Sequence, residues 1–323
     1  MENIESKAVF SSEKRKISLV IPFYNEEEGI RNTFHEIEKH IGDSRYEWEI
    51  IAINDGSSDK TLEVLGDIAP SGYTISVVDL SRNFGKEAAL SAGLCQATGD
   101  AIIPLDADLQ DPPSLISDMI QKWEEGYDVV LAKRLDRTSD SVLKRYTAAA
   151  FYSVINKMSE VAIPENVGDF RLMDRRVVNV ITSLPETRRF MKGLFAWAGF
   201  RTTTVEYVRP ARAAGDTKFS GWKLWNLALE GVTSFSTIPL KIWSYIGFLV
   251  AIGAFGYGAL IVIRTLIFGI DIPGYASLIS ILLFVSGLQM VGLGILGEYV
   301  GRIYMESKNR PPFIVRSVKS RQK

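Results

Sequence analysis

Two long uncharged runs near the carboxyl end constrain this chain more than any other feature. Ile242 to Ile263 and Ile272 to Leu296 contain no Asp, Glu, Lys or Arg. Each exceeds the roughly 20 residues a helix needs to cross a bilayer core. Backbone groups in lipid must be satisfied within the segment, so such runs are expected to be helical. The link from Arg264 to Asp271 is short, which makes the pair a hairpin with both flanks on one side. Basic residues near the spans set the orientation. Arg302, Lys308, Arg310, Arg316, Lys319, Arg321 and Lys323 follow the second span, Lys218, Lys223 and Lys241 precede the first, and the link offers only Arg264. The large amino-terminal region and both termini are therefore expected in the cytoplasm.

Several function classes fall away on composition. A net charge of −1 gives no basic field for nucleic acid. Two histidines, His35 and His40, sit on one charged helical stretch, which argues against a zinc site or a Ser-His-Asp triad. Cys95 is the sole cysteine, so no disulfide framework exists. The first residues are charged and lack an apolar core, so no signal peptide is expected.

Ahead of the spans, strands and helices alternate. Ile17–Phe23, Trp48–Ile53, Tyr73–Leu80, Ala101–Leu105 and Tyr127–Ala132 read as strands, with helices over Glu26–Ile41, Ser58–Leu65, Gly85–Ala97 and Ser114–Trp123. This order predicts an α/β fold with a mostly parallel, Rossmann-like sheet. Ligands of such sheets bind beyond the carboxyl ends of the strands. Polar clusters occupy those ends: Tyr24-Asn25-Glu26, Asp55-Gly56, and Asp106-Ala107-Asp108-Leu109-Gln110. Residues i and i+2 at a strand end share a direction, so Asp106, Asp108 and Gln110 can converge. Three hard oxygen ligands suit Mg²⁺ or Mn²⁺, ions that also hold substrate phosphates. Alone, Asp-x-Asp reads as an acidic loop capping a helix, and the flanking sequence has to decide. No G-x-G-x-x-G follows the first strand and no G-x-x-x-x-G-K-[ST] occurs, so neither a dinucleotide site nor a P-loop is supported.

The domain boundaries expected are a tail over 1–15, an α/β domain over 16–218, interfacial helices over 219–241, spans over 242–264 and 272–297, and a basic tail over 298–323. Trp222, Trp225, Trp243 and Tyr245 suit head-group level. Gly287, Gly292, Gly294, Gly297 and Gly301 permit close helix contact, either between copies in a homo-oligomer such as a tetramer or within the hairpin.

Val20 to Glu27, Asn54 to Asp59, Leu80 to Lys86 and Asp106 to Pro113 together resemble family 2 glycosyltransferases of GT-A fold. Val167 to Arg175, Arg189 to Gly193 and the two spans look most like the bactoprenol glucosyltransferase branch of the polyisoprenyl-phosphate glycosyltransferases. The resemblance implies a bacterial inner-membrane enzyme that moves a sugar, glucose above others, from a UDP-sugar to polyisoprenyl (undecaprenyl) phosphate, with a downstream flippase. It implies nucleotide-sugar contacts at Pro22, Tyr24, Glu26, Ile53, Asp55, Asp106, Ala107 and Arg134, and metal contacts at Asp106, Asp108 and Gln110. Arg212 and Lys218, in Arg212-Ala213-Ala214-Gly215-Asp216-Thr217-Lys218, match the family's R-x-x-G-x-[ST]-K loop and are expected to hold phosphates. Asp169 matches the acceptor-side acid, either as a base or as an orienting group. A salt bridge to Arg171 or Arg175 is the alternative. A donor of 4-amino-4-deoxy-arabinose or mannose type, or a non-catalytic nucleotide-sugar binder, remains open at this point.

Overall fold

The computed structural model describes residues 14–43, 45–135, 167–186, 189, 191–208, 238–269 and 274–322. They fall into two compact units, an α/β unit and a helical unit.

The α/β unit opens with β1 (Arg15–Phe23), α1 (Ile30–Glu38), β2 (Tyr46–Asn54), α2 (Thr61–Asp67), β3 (Thr74–Leu80), α3 (Lys86–Gln96) and β4 (Ala101–Pro104). Next come α4 (Ile116–Glu124), β5 (Val129–Arg134), β6 (Val167–Asp174), α5 (Arg175–Ser183), α6 (Met191–Trp197) and β7 (Thr202–Tyr207). Strand β8 (Val315–Arg321) closes the chain, and the sheet order is β7-β5-β6-β4-β1-β2-β3-β8. The pairs β1·β2, β1·β4, β2·β3 and β5·β7 are parallel. Antiparallel pairing is confined to β6 and β8. The mostly parallel α/β sheet expected from the sequence is therefore present.

Strand β1 is buried on both faces, with Ile17, Leu19, Val20 and Ile21 fully inaccessible, as parallel strands covered by helices require. Helix α1 places Ile30, Phe34 and Ile37 on one buried stripe. Helix α3 lies so close to the sheet that a Cβ on Gly93 would run into Val20 and Ile53. Asp174 ends β6 and starts α5 by accepting the Arg176 backbone N–H.

Three features depart from the pattern reading. Strand β5 is displaced by two residues, running Val129–Arg134 where Tyr127–Ala132 was expected. Strands β6 and β7 form where no strand was expected. The region read as a basic tail is not only a tail. Residues 315–321 form β8, which covers the β3 edge, with Arg316 3.1 Å from Asp79 and the Ser320 and Ser76 hydroxyls 2.8 Å apart. A strand edge with unpaired N–H and C=O groups is a template for another strand. The polar string Val-Arg-Ser-Val-Lys-Ser-Arg meets that need through its backbone, so its side chains carry no clear apolar alternation.

The helical unit contains α7 (Ile238–Phe268) and α8 (Tyr275–Ser307), of 31 and 33 residues. Ile242–Phe268 and Phe284–Ser307 are long and apolar enough to cross a membrane, with mean hydropathy of 2.3 and 1.2. Helix α8 runs ten residues past the expected span end at 297. Phe248, Phe255, Leu266, Phe268 and Phe284 are at least 65 % exposed, which is untenable in water and ordinary in lipid. Gly292 is explained inside the hairpin, since a Cβ there would collide with the Trp243 indole. Cβ atoms at Gly287, Gly294, Gly297 and Gly301 would meet nothing within 4 Å. Of the proposed interfacial stretch, residues 219–237 lie outside the described residues.

Candidate active site

The carboxyl edge of the sheet gathers the site because β1, β2 and β4 end there and β6, being antiparallel to β4, begins there. Asp169, at the start of β6, thereby comes beside Asp106, which follows β4. Lys86 joins them from the first turn of α3. Its Nζ lies 2.7 Å from Asp106 Oδ1 and 2.8 Å from Asp169 Oδ2. It also donates to Asp106 Oδ2 at 2.9 Å. The sequence reading quoted Lys86 inside a motif and assigned it no role. Its position one residue after Gly85, at a strand-to-helix turn, was the available signal.

The charges here are under stress. Burial pushes the Asp106 carboxyl above its ordinary 3.8, although Lys86 pulls it down; Asp169 and Asp108 add repulsion. Burial also works against the Lys86 ammonium, but Asp169 and Asp106 more than offset it and hold the group above the usual lysine range. Glu26 is raised by burial and then by Asp108 and Asp59.

Asp55, expected at the nucleotide, has a structural task as well. It is buried, and its two carboxylate oxygens accept the Phe84 N–H at 2.8 Å and the Gly85 N–H at 2.9 Å. Burial raises its pKa despite those bonds. Asp55 thus ties the end of β2 to the turn that carries Lys86. Gly56 makes this approach feasible: φ is +62°, and a Cβ would enter the backbone of Arg82 and Asn83.

The remaining nucleotide positions divide. Pro22 is partly exposed at the end of β1, and Tyr24 is 48 % exposed beside it. Asn25, at φ 54°, accepts the Ser58 N–H at 2.9 Å, and the Glu26 N–H bonds Thr61 Oγ1 at 2.9 Å, which laces the β1 and β2 loops together. Ile53 is fully buried and packs toward Gly93 of α3, so its side chain shapes the support and not the surface. Arg134 ends β5 opposite Tyr207 on β7. Arg212 and Lys218 lie outside the described residues.

The acidic loop is held from three sides. Thr33 of α1 donates to the Ala107 carbonyl at 2.7 Å. Tyr207 donates its hydroxyl to buried Asp111. Gln110 donates its backbone N–H to Asp108 Oδ1 at 3.2 Å and its side-chain amide to Asp108 Oδ2. Leu109 takes φ 52°, a strained conformation of the kind that gathers at binding loops.

A divalent cation finds a fitting, incomplete donor set here. Asp106 and Asp108 carry hard carboxylate oxygens of the kind such a cation takes, and Gln110, whose amide N–H bonds Asp108, would ligate through its carbonyl oxygen. Among the described residues no three His, Cys, Asp or Glu side chains form a cage. Mg²⁺ commonly binds through one or two carboxylates and completes its shell with water and substrate phosphates.

Arg171, the alternative partner named for Asp169, donates to the Gly168 carbonyl at 2.7 Å and lies 4.0 Å over the Phe195 ring. Burial lowers its guanidinium to about 10, against the pull of Asp169 and Glu87. Arg175 turns to the opposite edge, where its Nε donates to the Gly99 carbonyl at 2.8 Å.

An α/β sheet with paired carboxylates and a lysine at its carboxyl edge, followed by an apolar helical hairpin, defines a membrane-associated transferase of GT-A type. Residues 18–182 match glycosyl transferase family 2, and residues 238–303 match the GtrB C-terminal hairpin. The chain belongs to glycosyl transferase family 2. It is 55 % identical over 304 residues to the prophage bactoprenol glucosyl transferase homolog of Escherichia coli, covering 94 % of this chain and 99 % of that one. It is 53 % identical over 306 residues to the bactoprenol glucosyl transferase of Shigella phage SfV, covering 95 % and 100 %. A solved structure of glucosyl-3-phosphoglycerate synthase from Mycobacterium tuberculosis, with Mn²⁺, UDP-glucose and phosphoglyceric acid, is similar at 18 % identity and TM-score 0.47, covering 68 % and 78 %.

Proposed function

We propose that this protein transfers glucose from UDP-glucose to a polyisoprenyl phosphate such as undecaprenyl phosphate, on the cytoplasmic side of the bacterial inner membrane. The observation that carries the reading is similarity above 50 % identity across nearly the whole length of bactoprenol glucosyl transferases, hairpin included. The clustered Asp106, Lys86 and Asp169 supply chemistry that fits it.

In this reading Tyr24 packs on the base, and Glu26 accepts hydrogen bonds from the base or ribose. A bound Mg²⁺ or Mn²⁺, held by Asp106 and Asp108, supplies positive charge to the diphosphate as it leaves. Arg134, Arg212 and Lys218 share that electrostatic task. A lipid phosphate oxygen bonds to the anomeric carbon from the face opposite UDP as the bond from that carbon to UDP breaks, so configuration inverts. The lipid phosphate has a second pKa of about 6 and needs no strong base. Asp169, held by Lys86, therefore orients the reacting groups. The glycines at 297 and 301 serve self-association, and a flippase takes the lipid product onward.

The test is purified protein with undecaprenyl phosphate and a panel of labelled nucleotide sugars, with and without EDTA. A metal-dependent glucolipid from UDP-glucose is expected. Product from another donor alone would replace glucose in the reading, and no glycolipid from any donor would overturn it.

A further inference from the structure

Lys86 occupies the place where the acidic groups of the site most need a cation. One ammonium bridges two carboxylates that belong to different strands, Asp106 after β4 and Asp169 in β6. Both oxygens of Asp106 lie within 2.9 Å of it. An ammonium is a compact point charge on a flexible stem, with three donors that re-aim cheaply. Asp106 is at the same time one of two carboxylates fit for a divalent cation. Two cations cannot share both Asp106 oxygens without strong repulsion.

From this geometry we infer that Lys86 is an internal counter-ion that competes with the divalent cation for Asp106, so that the cation binds well only when a nucleotide diphosphate arrives with it. The diphosphate brings anionic oxygens that offer the displaced ammonium a new partner. Lys86 moves from Asp106 onto phosphate and stays tethered to Asp169. Without nucleotide Lys86 already occupies both Asp106 oxygens, and the site holds the cation weakly. The turn that carries Lys86 is fixed by Asp55 through the Phe84 and Gly85 amides, so the ammonium is re-aimed by side-chain rotation alone. Coupling of this kind is reciprocal: nucleotide tightens metal and metal tightens nucleotide by the same factor. This inference rests on the metal-assisted reading of the site and is independent of which sugar is transferred.

The experiment measures Mn²⁺ binding to the full-length protein in detergent by electron paramagnetic resonance, with and without UDP. Wild type, Lys86→Met and Lys86→Arg are compared, each checked for folding by thermal melting. Wild type is expected to bind Mn²⁺ weakly alone and about tenfold or more tightly with UDP. Lys86→Met is expected to tighten nucleotide-free Mn²⁺ binding by about tenfold and to lose most of the UDP effect. Lys86→Arg keeps the charge and stays near wild type without nucleotide. Unchanged or weaker nucleotide-free binding in Lys86→Met would overturn the inference and leave the metal reading standing. If wild type binds no Mn²⁺ even with UDP, the metal reading fails and the inference with it.

Discussion

The two edges of one sheet are both charged, and they handle charge in opposite ways. Toward the amino edge, Glu49 accepts from Ser18 Oγ at 2.7 Å, the Thr98 N–H at 2.9 Å and Lys16 Nζ at 3.4 Å. Burial raises its pKa, but those partners outweigh burial and hold the group below its ordinary value. Asp174, bonded to Arg176 and Trp123, is likewise lowered. At the carboxyl edge the balance reverses. Glu26, Asp55 and Asp106 all lie above their ordinary values because burial prevails. A carboxylate whose partners outweigh burial serves the fold, whereas one that burial keeps raised despite its partners is the kind that collects at functional sites.

Substitutions at the two edges should therefore separate activity from stability. The largest effect is expected at the carboxyl edge: Asp106→Asn and Asp108→Ala should each lower kcat by about two to three orders of magnitude. Their melting temperatures should stay near wild type; a large drop in melting temperature would erase the contrast. At the amino edge the pattern inverts, and Glu49→Ala should cost about 3 kcal/mol of stability by stranding Ser18, Thr98 and Lys16. Denaturant melts would read it, and the transfer rate per folded molecule should hold.

Gly56→Ala joins the two behaviours. Strain at φ +62° and collision with the Arg82–Asn83 backbone should cost about 2 kcal/mol and also shift the Lys86 turn, raising KM for the nucleotide sugar. A stability loss with KM unchanged would show that the turn does not position Lys86. Tyr24→Ala should cost about 1 kcal/mol of donor binding, seen as a roughly fivefold higher KM with kcat little changed.

The smallest signal is the pH dependence of stability. Glu49 has a folded value below its ordinary 4.5, so the unfolded chain binds more protons in between. Its contribution is complete above pH 4.5 and is lost as pH falls through the folded value. Asp55 and Asp106 have the opposite sign. Their folded values exceed 3.8, so protonation favours the fold and this contribution fades as pH rises through the raised values. Glu49→Gln should flatten the acid limb of a melting-temperature profile, and an unaltered limb would assign it to other groups.

Much of the α/β unit was legible because hydrophobic period and strand-end chemistry are local. The Ile17–Phe23 run, the Ile30–Phe34–Ile37 stripe and the Ala101 strand each fall within or closely overlap the observed elements. The hairpin was legible for the same reason, since charge-free runs need no partner to be recognised. The site was legible as a set of positions and not as a set of contacts. Asp55 was expected at the base and also ties the Phe84–Gly85 turn; Ile53 was expected there too, and its side chain is buried in the sheet. The roles of Lys86 and Asp111 could not be read locally, because they depend on Asp169 and Tyr207, more than 80 residues away in the chain.

By itself the sequence determined the parallel α/β framework, the acidic loop after β4 and the apolar hairpin, all features written in neighbouring residues. Tertiary structure alone decided that β6 enters antiparallel and so delivers Asp169 to Asp106. It also decided that the carboxyl-terminal strand returns to cover β3, and that one lysine bridges two carboxylates from separate parts of the sheet edge. Strand pairing and charge pairing act between groups far apart along the chain, and only folding brings their distances below the few ångströms at which those forces choose partners.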